Sequence, residues 1–261
     1  MKIKMNDLQT TLEKLYNLLS TESKVYYCRF GDGDFSIMSG EGRCIEHAAS
    51  PELQKELIES FTINDPNYIK GVMVIEPTYN GVELQPANPI NNQKTLDFIK
   101  SLYDNDNREE LVLDSHVILT YLAICQQNIM IDFLDRFVRP KKKLFIGSVD
   151  KEQIEKLVGK IDYYIKIPVA EVSEQRVFPG AYYFMDEWWP KVLDVVDDVE
   201  LVLPTAGMAG RVITKRLWML EKNIHSIELG SMVDAVVGKM SRSTWERNDN
   251  YIKIKNLLKD V

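Results

Sequence analysis

The sequence predicts an α/β protein, a Rossmann-like and mainly parallel sheet flanked by helices, as a single domain over residues 1–261. Three observations carry this. Short apolar runs alternate with amphipathic helical stretches, most regularly from Lys143 onward. Strands and helices alternating at that pace imply right-handed crossovers and parallel pairing. Several of these runs also end in small or hydroxylic residues: Gly147-Ser148, Pro204-Thr205-Ala206-Gly207 and Gly230-Ser231. No repeat, low-complexity tract or linker divides the chain, and 261 residues with 45% apolar content suffice for one large core.

Taken in order, Leu8, Leu12, Leu15, Leu18 and Leu19 fall at helical spacing, so residues 6–20 read as an amphipathic helix. Val25 to Phe30 reads as the first strand. It ends in a turn, after which a short helix runs from Phe35 to Ser39 and stops at Gly40 and Gly42. Pro51 to Phe61 is a helix capped by Ser50, with Pro51 at its first position and Leu53, Leu57 and Phe61 on one face. Lys70 to Glu76 reads as a buried strand, and Pro77 to Pro89 has the composition of a long surface loop. Residues 91–104 return to helix. Val117 to Phe137 is apolar enough for one or two buried helices, with Ser115-His116 just ahead.

The carboxyl-terminal half is more regular. Leu144 to Ile146, Ile161 to Ile167, Val199 to Leu203 and Ile224 to Leu229 read as strands. Asp150 to Val158, Tyr182 to Val195 and Ala209 to Glu221 read as the helices between them, with Pro190 interrupting the second.

Composition narrows the function classes. The net charge of −7 argues against general nucleic-acid binding. The basic run Arg139-Pro140-Lys141-Lys142-Lys143 reads as a solvated loop before a strand. No stretch is apolar for long enough to form an integral membrane segment, and no apolar signal region follows Lys2 and Lys4. The expected location is therefore cytoplasmic. Cys28, Cys44 and Cys125 form no paired framework and read as free thiols.

Ligands of open parallel sheets gather outside the carboxyl ends of the strands. One such end carries Arg29-Phe30-Gly31-Asp32-Gly33-Asp34-Phe35-Ser36. The spacing nearly matches G-x-G-x-x-G, but two carboxylates beside a pyrophosphate repel it unless a cation lies between them. A hard cation, Mn2+ or Mg2+, favours carboxylate and phosphate oxygens together. In an extended turn Asp32 and Asp34 point the same way and serve as its ligands. Arg29 is placed to orient a carboxylate or hold a phosphate. The same tripeptide also reads as a turn that caps a helix and binds no metal. Gly31, Gly33, Gly147, Ser148, Thr205, Ala206, Gly207, Gly230 and Ser231 complete the set of strand-end residues that let a backbone approach a donor.

The segment Tyr27 to Phe35 resembles the R-F-G-D-G-E signature of the GT-D type glycosyltransferases, nucleotide-sugar-dependent enzymes with a Rossmann-like fold. Leu201-Val202-Leu203-Pro204-Thr205-Ala206-Gly207 is similar to their strand ending in G-P-T-A. Ile227-Glu228-Leu229-Gly230-Ser231 resembles their next strand, usually D-I-G. The resemblance implies that Asp32 and Asp34 hold the metal and the donor diphosphate, with Arg29 and Gly31 shaping the loop and Thr205 and Ala206 facing the donor. This chain departs from the pattern in having Asp34 for Glu, no glycine before Pro204, and Ser231 where a histidine commonly follows D-I-G.

The implied reaction moves a sugar from a nucleoside-diphosphate sugar to a hydroxyl of a glycan, glycoprotein or glycolipid acceptor. If it inverts, a general base is needed, and His116, Glu171, Asp186, Glu187 and Asp234 are the candidates, Glu171 and Asp234 lying nearest strand ends. Tyr182, Tyr183, Trp188 and Trp189, after Phe178, offer rings for stacking on a base or sugar, or for helix packing. Arg211 and Arg242 read as surface residues able to hold phosphate. Two other readings stay open: a different nucleotide-dependent enzyme on the same kind of sheet, such as a methyltransferase or dehydrogenase, and a noncatalytic subunit that binds a sugar nucleotide.

Overall fold

Helices cover both faces of an eight-stranded sheet in which every pairing is parallel. The computed structural model describes residues 1–22, 24–40, 49–72, 78–79, 82–83, 93–104, 108–168, 172–173, 176–177, 180–238 and 250–258. Its strands are β1 (Lys2–Met5), β2 (Tyr26–Phe30), β3 (Tyr68–Val72), β4 (Thr78–Tyr79), β5 (Val82–Glu83), β6 (Glu110–Ser115), β7 (Lys143–Gly147), β8 (Tyr163–Lys166), β9 (Val172–Ser173), β10 (Arg176–Val177), β11 (Leu201–Thr205) and β12 (His225–Ile227). The main sheet runs β1-β6-β3-β2-β12-β11-β7-β8, and β4-β5 and β9-β10 form two small antiparallel ribbons. The first ribbon lies within the stretch expected to be a surface loop.

The helices are α1 (Leu8–Thr21), α2 (Asp32–Met38), α3 (Pro51–Thr62), α4 (Gln93–Ser101), α5 (Ile118–Cys125), α6 (Gln127–Phe137), α7 (Lys151–Val158), α8 (Met185–Leu193), α9 (Ala209–Met219) and α10 (Met232–Val236), followed by Asn250–Asn256. Their starts follow local chemistry. Asp7, Ser50 and Asp150 each accept the amide hydrogen of the third residue on, in α1, α3 and α7. A short 3-10 turn, Ala181–Phe184, precedes α8, which contains Pro190.

The central strands are buried on both sides, which is why they read as nearly unbroken apolar runs. In β2, Tyr26, Cys28 and Phe30 enter one core with Leu53, Leu57, Phe61 and Val212, while Tyr27 enters the other with Leu15, Leu122 and Phe133. Alternation along the strand thus assigns each residue to a layer.

Val25 to Phe30 proves to be the second strand of the chain, not the first. Both β1 and β6, which form one edge of the sheet, are absent from the expected element list. β1 is a four-residue strand with alternate residues half-buried. β6 ends in the polar Asp114 and Ser115, which are fully buried yet satisfied from elsewhere in the chain. Asn6 Nδ2 and Lys14 Nζ donate to the Asp114 carboxylate at 2.8 and 2.6 Å, and the Ser115 amide donates to Thr11 Oγ1 at 3.0 Å.

Candidate active site

β2 and β12 lie side by side where the amino-terminal half of the sheet meets the carboxyl-terminal half. After β2 the chain passes into α2, whose Phe35, Ile37 and Met38 join one core. After β12 it passes into α10, whose Met232 and Val233 join the other. Neighbouring strands that send their helices to opposite faces leave a crevice at their carboxyl ends, the usual ligand position of such sheets.

Four charged side chains are packed at this seam. The β2–β12 register runs to Tyr27 and Ile227, and two residues further along β2 the Arg29 amide donates to Glu228 Oε2 at 2.8 Å. The other Glu228 oxygen, Oε1, accepts from Arg211 Nη1. The same nitrogen also donates to the Gly207 carbonyl at 2.7 Å. Arg211 Nη2 donates to Asp34 Oδ2 at 2.9 Å, and that oxygen also accepts the Gly31 amide at 2.7 Å. On the opposite face the Arg29 guanidinium donates through Nε to the His116 carbonyl at 2.6 Å and through Nη1 to the Leu229 carbonyl at 3.3 Å.

Two glycines leave room for these groups. A Cβ on Gly230 would lie 1.3 Å from Arg29 Nη1, and one on Gly210 would lie 2.6 Å from Glu228 Oε1. Gly230 also has φ +64°, a conformation that glycine adopts without penalty.

Burial acts on all of these groups, and their mutual charges decide the balance. The buried Glu228 carboxyl is held above its ordinary range, since burial outweighs the pull of Arg211 and Arg29. Burial disfavours the Arg211 cation, but Asp34 and Glu228 together keep it above its usual value and fully charged. Burial, then the charges of Arg29 and Arg211, hold His116 well below its ordinary value, so its imidazole is neutral at pH 7.

The structure changes the expected geometry of the Asp pair. Helix α2 begins at Asp32, three residues earlier than the sequence predicts, so Asp32, Gly33 and Asp34 form its first turn instead of an extended loop. At 3.6 residues per turn, positions two apart project about 200° apart. Asp34 is buried and reaches back to the Gly31 amide, as an acid at the third helical position does in a capping box. Asp32 is exposed. The two carboxylates therefore do not converge, and no group of three or more His, Cys, Asp or Glu side chains suited to a metal occurs among the described residues. Of the pair, Asp32 is the carboxylate exposed to solvent; a divalent cation there would have to complete its shell with water and substrate phosphates.

The other predicted residues divide clearly. Arg29, Gly31, Gly207 and Gly230 belong to the seam. Ser231 and Asp234 are half-buried at the start of α10, and Ala206 is buried beside Gly207. Gly147 pairs with Thr205, whose Oγ1 donates to the Ile146 carbonyl at 3.2 Å. A Cβ on Gly147 would lie 2.2 Å from that oxygen, so this glycine serves strand packing. Ser148 is half-buried at the end of β7, two strands beyond β12. Glu171, Arg242, Phe178 and Cys44 lie outside the described residues.

Asp186 and Glu187 are exposed on α8. Trp188 is buried, its Nε1 donating to the Ala181 carbonyl at 3.1 Å, and Trp189 lies half-buried beneath Arg216. Tyr182 and Tyr183 meet edge to face at 5.4 Å, with Tyr183 exposed. In the basic run, Lys141 pairs with Glu200 and Lys142 with Asp198, as a solvated loop does, whereas Lys143 is buried and donates to the Arg139 and Lys160 carbonyls.

Two members of the seam escaped the sequence reading. Arg211, expected at the surface, is the hub of the cluster, and Glu228 was not assigned to the site at all. A glutamate between Ile227 and Leu229, in an otherwise buried strand, is the available signal, since buried carboxylates need a partner.

Neither a protein-family model nor a curated protein matches this sequence. Solved structures do match. A glycosyltransferase (DUF1792) from Streptococcus sanguinis superposes with TM-score 0.63 at 16% identity, covering 91% of this chain and 84% of its own. The chain shares that fold. A selenomethionine-substituted structure of the domain of unknown function 1792 matches with TM-score 0.60 at 15% identity, over 96% of this chain and 88% of its own. A further structure, of the same highly conserved domain and described as having a distinct glycosyltransferase fold, matches with TM-score 0.59 at 14% identity, over 97% and 90%. The expected α/β architecture is thus borne out, with every pairing of the main sheet parallel.

Proposed function

We propose that this protein is a glycosyltransferase that uses a nucleoside-diphosphate sugar and binds the donor diphosphate at the carboxyl ends of β2, β11 and β12. The observation that carries this reading is the likeness of nearly the whole chain to a DUF1792 glycosyltransferase. The R-F-G-D-G-D turn, similar to the GT-D signature, supports it by falling at the crevice where such sheets bind ligands.

In this reading Asp32, exposed at the first turn of α2, holds the divalent cation, Mn2+ or Mg2+. The cation supplies charge stabilisation for the departing diphosphate. The turns at Thr205-Ala206-Gly207 and Gly230-Ser231 bring backbone close to the donor, since neither carries a bulky side chain there. Arg29 ties the Gly230-Ser231 turn to the turn after β6 through the Leu229 and His116 carbonyls, and Arg211 holds the other turn at the Gly207 carbonyl. Asp234 lies in the first turn of α10, the helix that follows β12, and we assign it the acceptor-facing role of a general base. His116, neutral and buried, is left a structural part.

The test is a thermal-shift screen of nucleoside diphosphates and their sugars with and without Mn2+. A ligand bound only by the folded state raises its apparent stability, so one base class should stabilise the protein in a metal-dependent way. Stabilisation by S-adenosylmethionine or NAD, with none by any nucleoside diphosphate, would reject the reading.

A further inference from the structure

Asp34 belongs to the motif that suggested the site, yet its carboxylate turns inward. We propose that Arg211 is the positioning residue of this site. It clamps the turn from Gly31 to Asp34 against the end of β12 through Asp34 and Glu228, so that Asp34 works inside the protein and Asp32 is the carboxylate of the pair that meets a ligand. The proposal rests on the function above only for the nature of that ligand.

The geometry is that of a built joint. One guanidinium spans two carboxylates that are 177 and 17 residues away in sequence, and it also takes the Gly207 carbonyl. The three side chains are only 11%, 4% and 2% exposed for Arg211, Asp34 and Glu228. Three strand-end turns are thereby joined: Gly31–Asp34 after β2, Gly207 after β11 and Glu228 after β12. A planar fork can serve two carboxylates at once, which a lysine ammonium on a flexible stem does less well.

A buried ion pair is weak evidence for stability, and its best-attested use is to fix one arrangement among alternatives. Here the arrangement fixed is the direction of the α2 first turn. With Asp34 bonded to the Gly31 amide and to Arg211, helical geometry turns Asp32 to the outside.

Two measurements on the full chain test this, using Asp32→Asn, Asp34→Asn, Arg211→Lys and Arg211→Met. The first is hydrogen–deuterium exchange of residues 31–38 without ligand, with α7 on the opposite face as the internal reference. The second is the thermal shift given by Mn2+ with nucleoside diphosphates. Asp34→Asn and Arg211→Met should speed exchange in residues 31–38 about tenfold while α7 stays at the wild-type rate. They should weaken the Mn2+-dependent shift without removing it, and Arg211→Lys should recover part of both. Asp32→Asn should keep wild-type exchange and lose the shift.

Wild-type exchange in both Asp34→Asn and Arg211→Met overturns the clamp. So does an Asp34→Asn protein that exchanges like wild type but has lost the shift, because Asp34 then acts on the ligand itself. A wild-type Mn2+-dependent affinity in Arg211→Met also overturns it, since a merely structural arginine would leave that reading unmoved. If Arg211→Met does not fold, the nearly isosteric Asp34→Asn decides. If no nucleoside diphosphate shifts even the wild type, the glycosyltransferase reading falls while the exchange data still judge the clamp.

Discussion

Gly230→Ala removes the space on which the seam depends, and its cost can be worked out from two separate terms. The first is conformational. Gly230 has φ +64°, and placing a Cβ in the left-handed region costs roughly 1–2 kcal/mol. The second is the contact with Arg29, whose Nη1 lies 1.3 Å from the position of the new carbon. A free arginine tip would swing aside cheaply. This one is buried and tied to the His116 and Leu229 carbonyls, and a hydrogen bond to a charged group contributes about 1.5–3 kcal/mol.

The sum is about 2.5–5 kcal/mol, a fall in melting temperature of roughly 10 °C for a chain of this length. Gly238→Ala supplies the control. Gly238 also has positive φ, at +82°, but among the described residues nothing lies within 4 Å of its would-be Cβ, so only the conformational term of about 1–2 kcal/mol applies. Urea unfolding of the two variants isolates the Arg29 contact as their difference, about 1.5–3 kcal/mol. Equal destabilisation of the two would refute the reasoning, because it would mean that the Arg29 guanidinium is not held where the seam requires it.

Other expectations concern protonation and thiol chemistry. His225 is buried, and its pKa is pulled down to about 4, first by burial and then by Lys141. A depressed value favours the neutral form in the folded state, so the stabilisation is present above the unfolded value of about 6.5 and is lost as pH falls through 4. His225→Gln should therefore flatten the pH dependence of the urea-unfolding free energy between pH 7 and 4, by on the order of 1–2 kcal/mol once solvent screening is allowed for. An unchanged profile would show that another group governs this range. Cys28 is fully buried beside Ser60 and Tyr68, and burial pushes its thiol up to about 12. Iodoacetamide at pH 8 should modify the half-buried Cys125 well before Cys28, and peptide mapping that finds both modified at one rate would contradict this packing.

How much was legible depended on where the information lies. Leucines at helical spacing, the Ser50-Pro51 start and the apolar runs of β2, β7 and β11 are local patterns, and those elements formed where expected. β1 and β6 were invisible because their stability comes from remote partners: Asp114 ends a strand only because Asn6 and Lys14 cover its charge. The start of α2 was misjudged for a related reason. Two glycines near two aspartates read as an extended turn, yet the capping bond from Asp34 to the Gly31 amide and the bond from Arg211 favour helix from Asp32 onward.

The sequence by itself determined the alternation of strands and helices and the small residues at strand ends. It also carried the likeness of the R-F-G-D-G-D turn to a donor-binding motif. Each of these is written in neighbouring residues. Only the tertiary structure decided that Asp32 faces out while Asp34 faces Arg211, and that Glu228 and Arg211 belong to the same seam. Those facts arise from side chains up to 177 residues apart in sequence, brought together by the strand order. No spacing rule along the chain encodes which buried charges will meet.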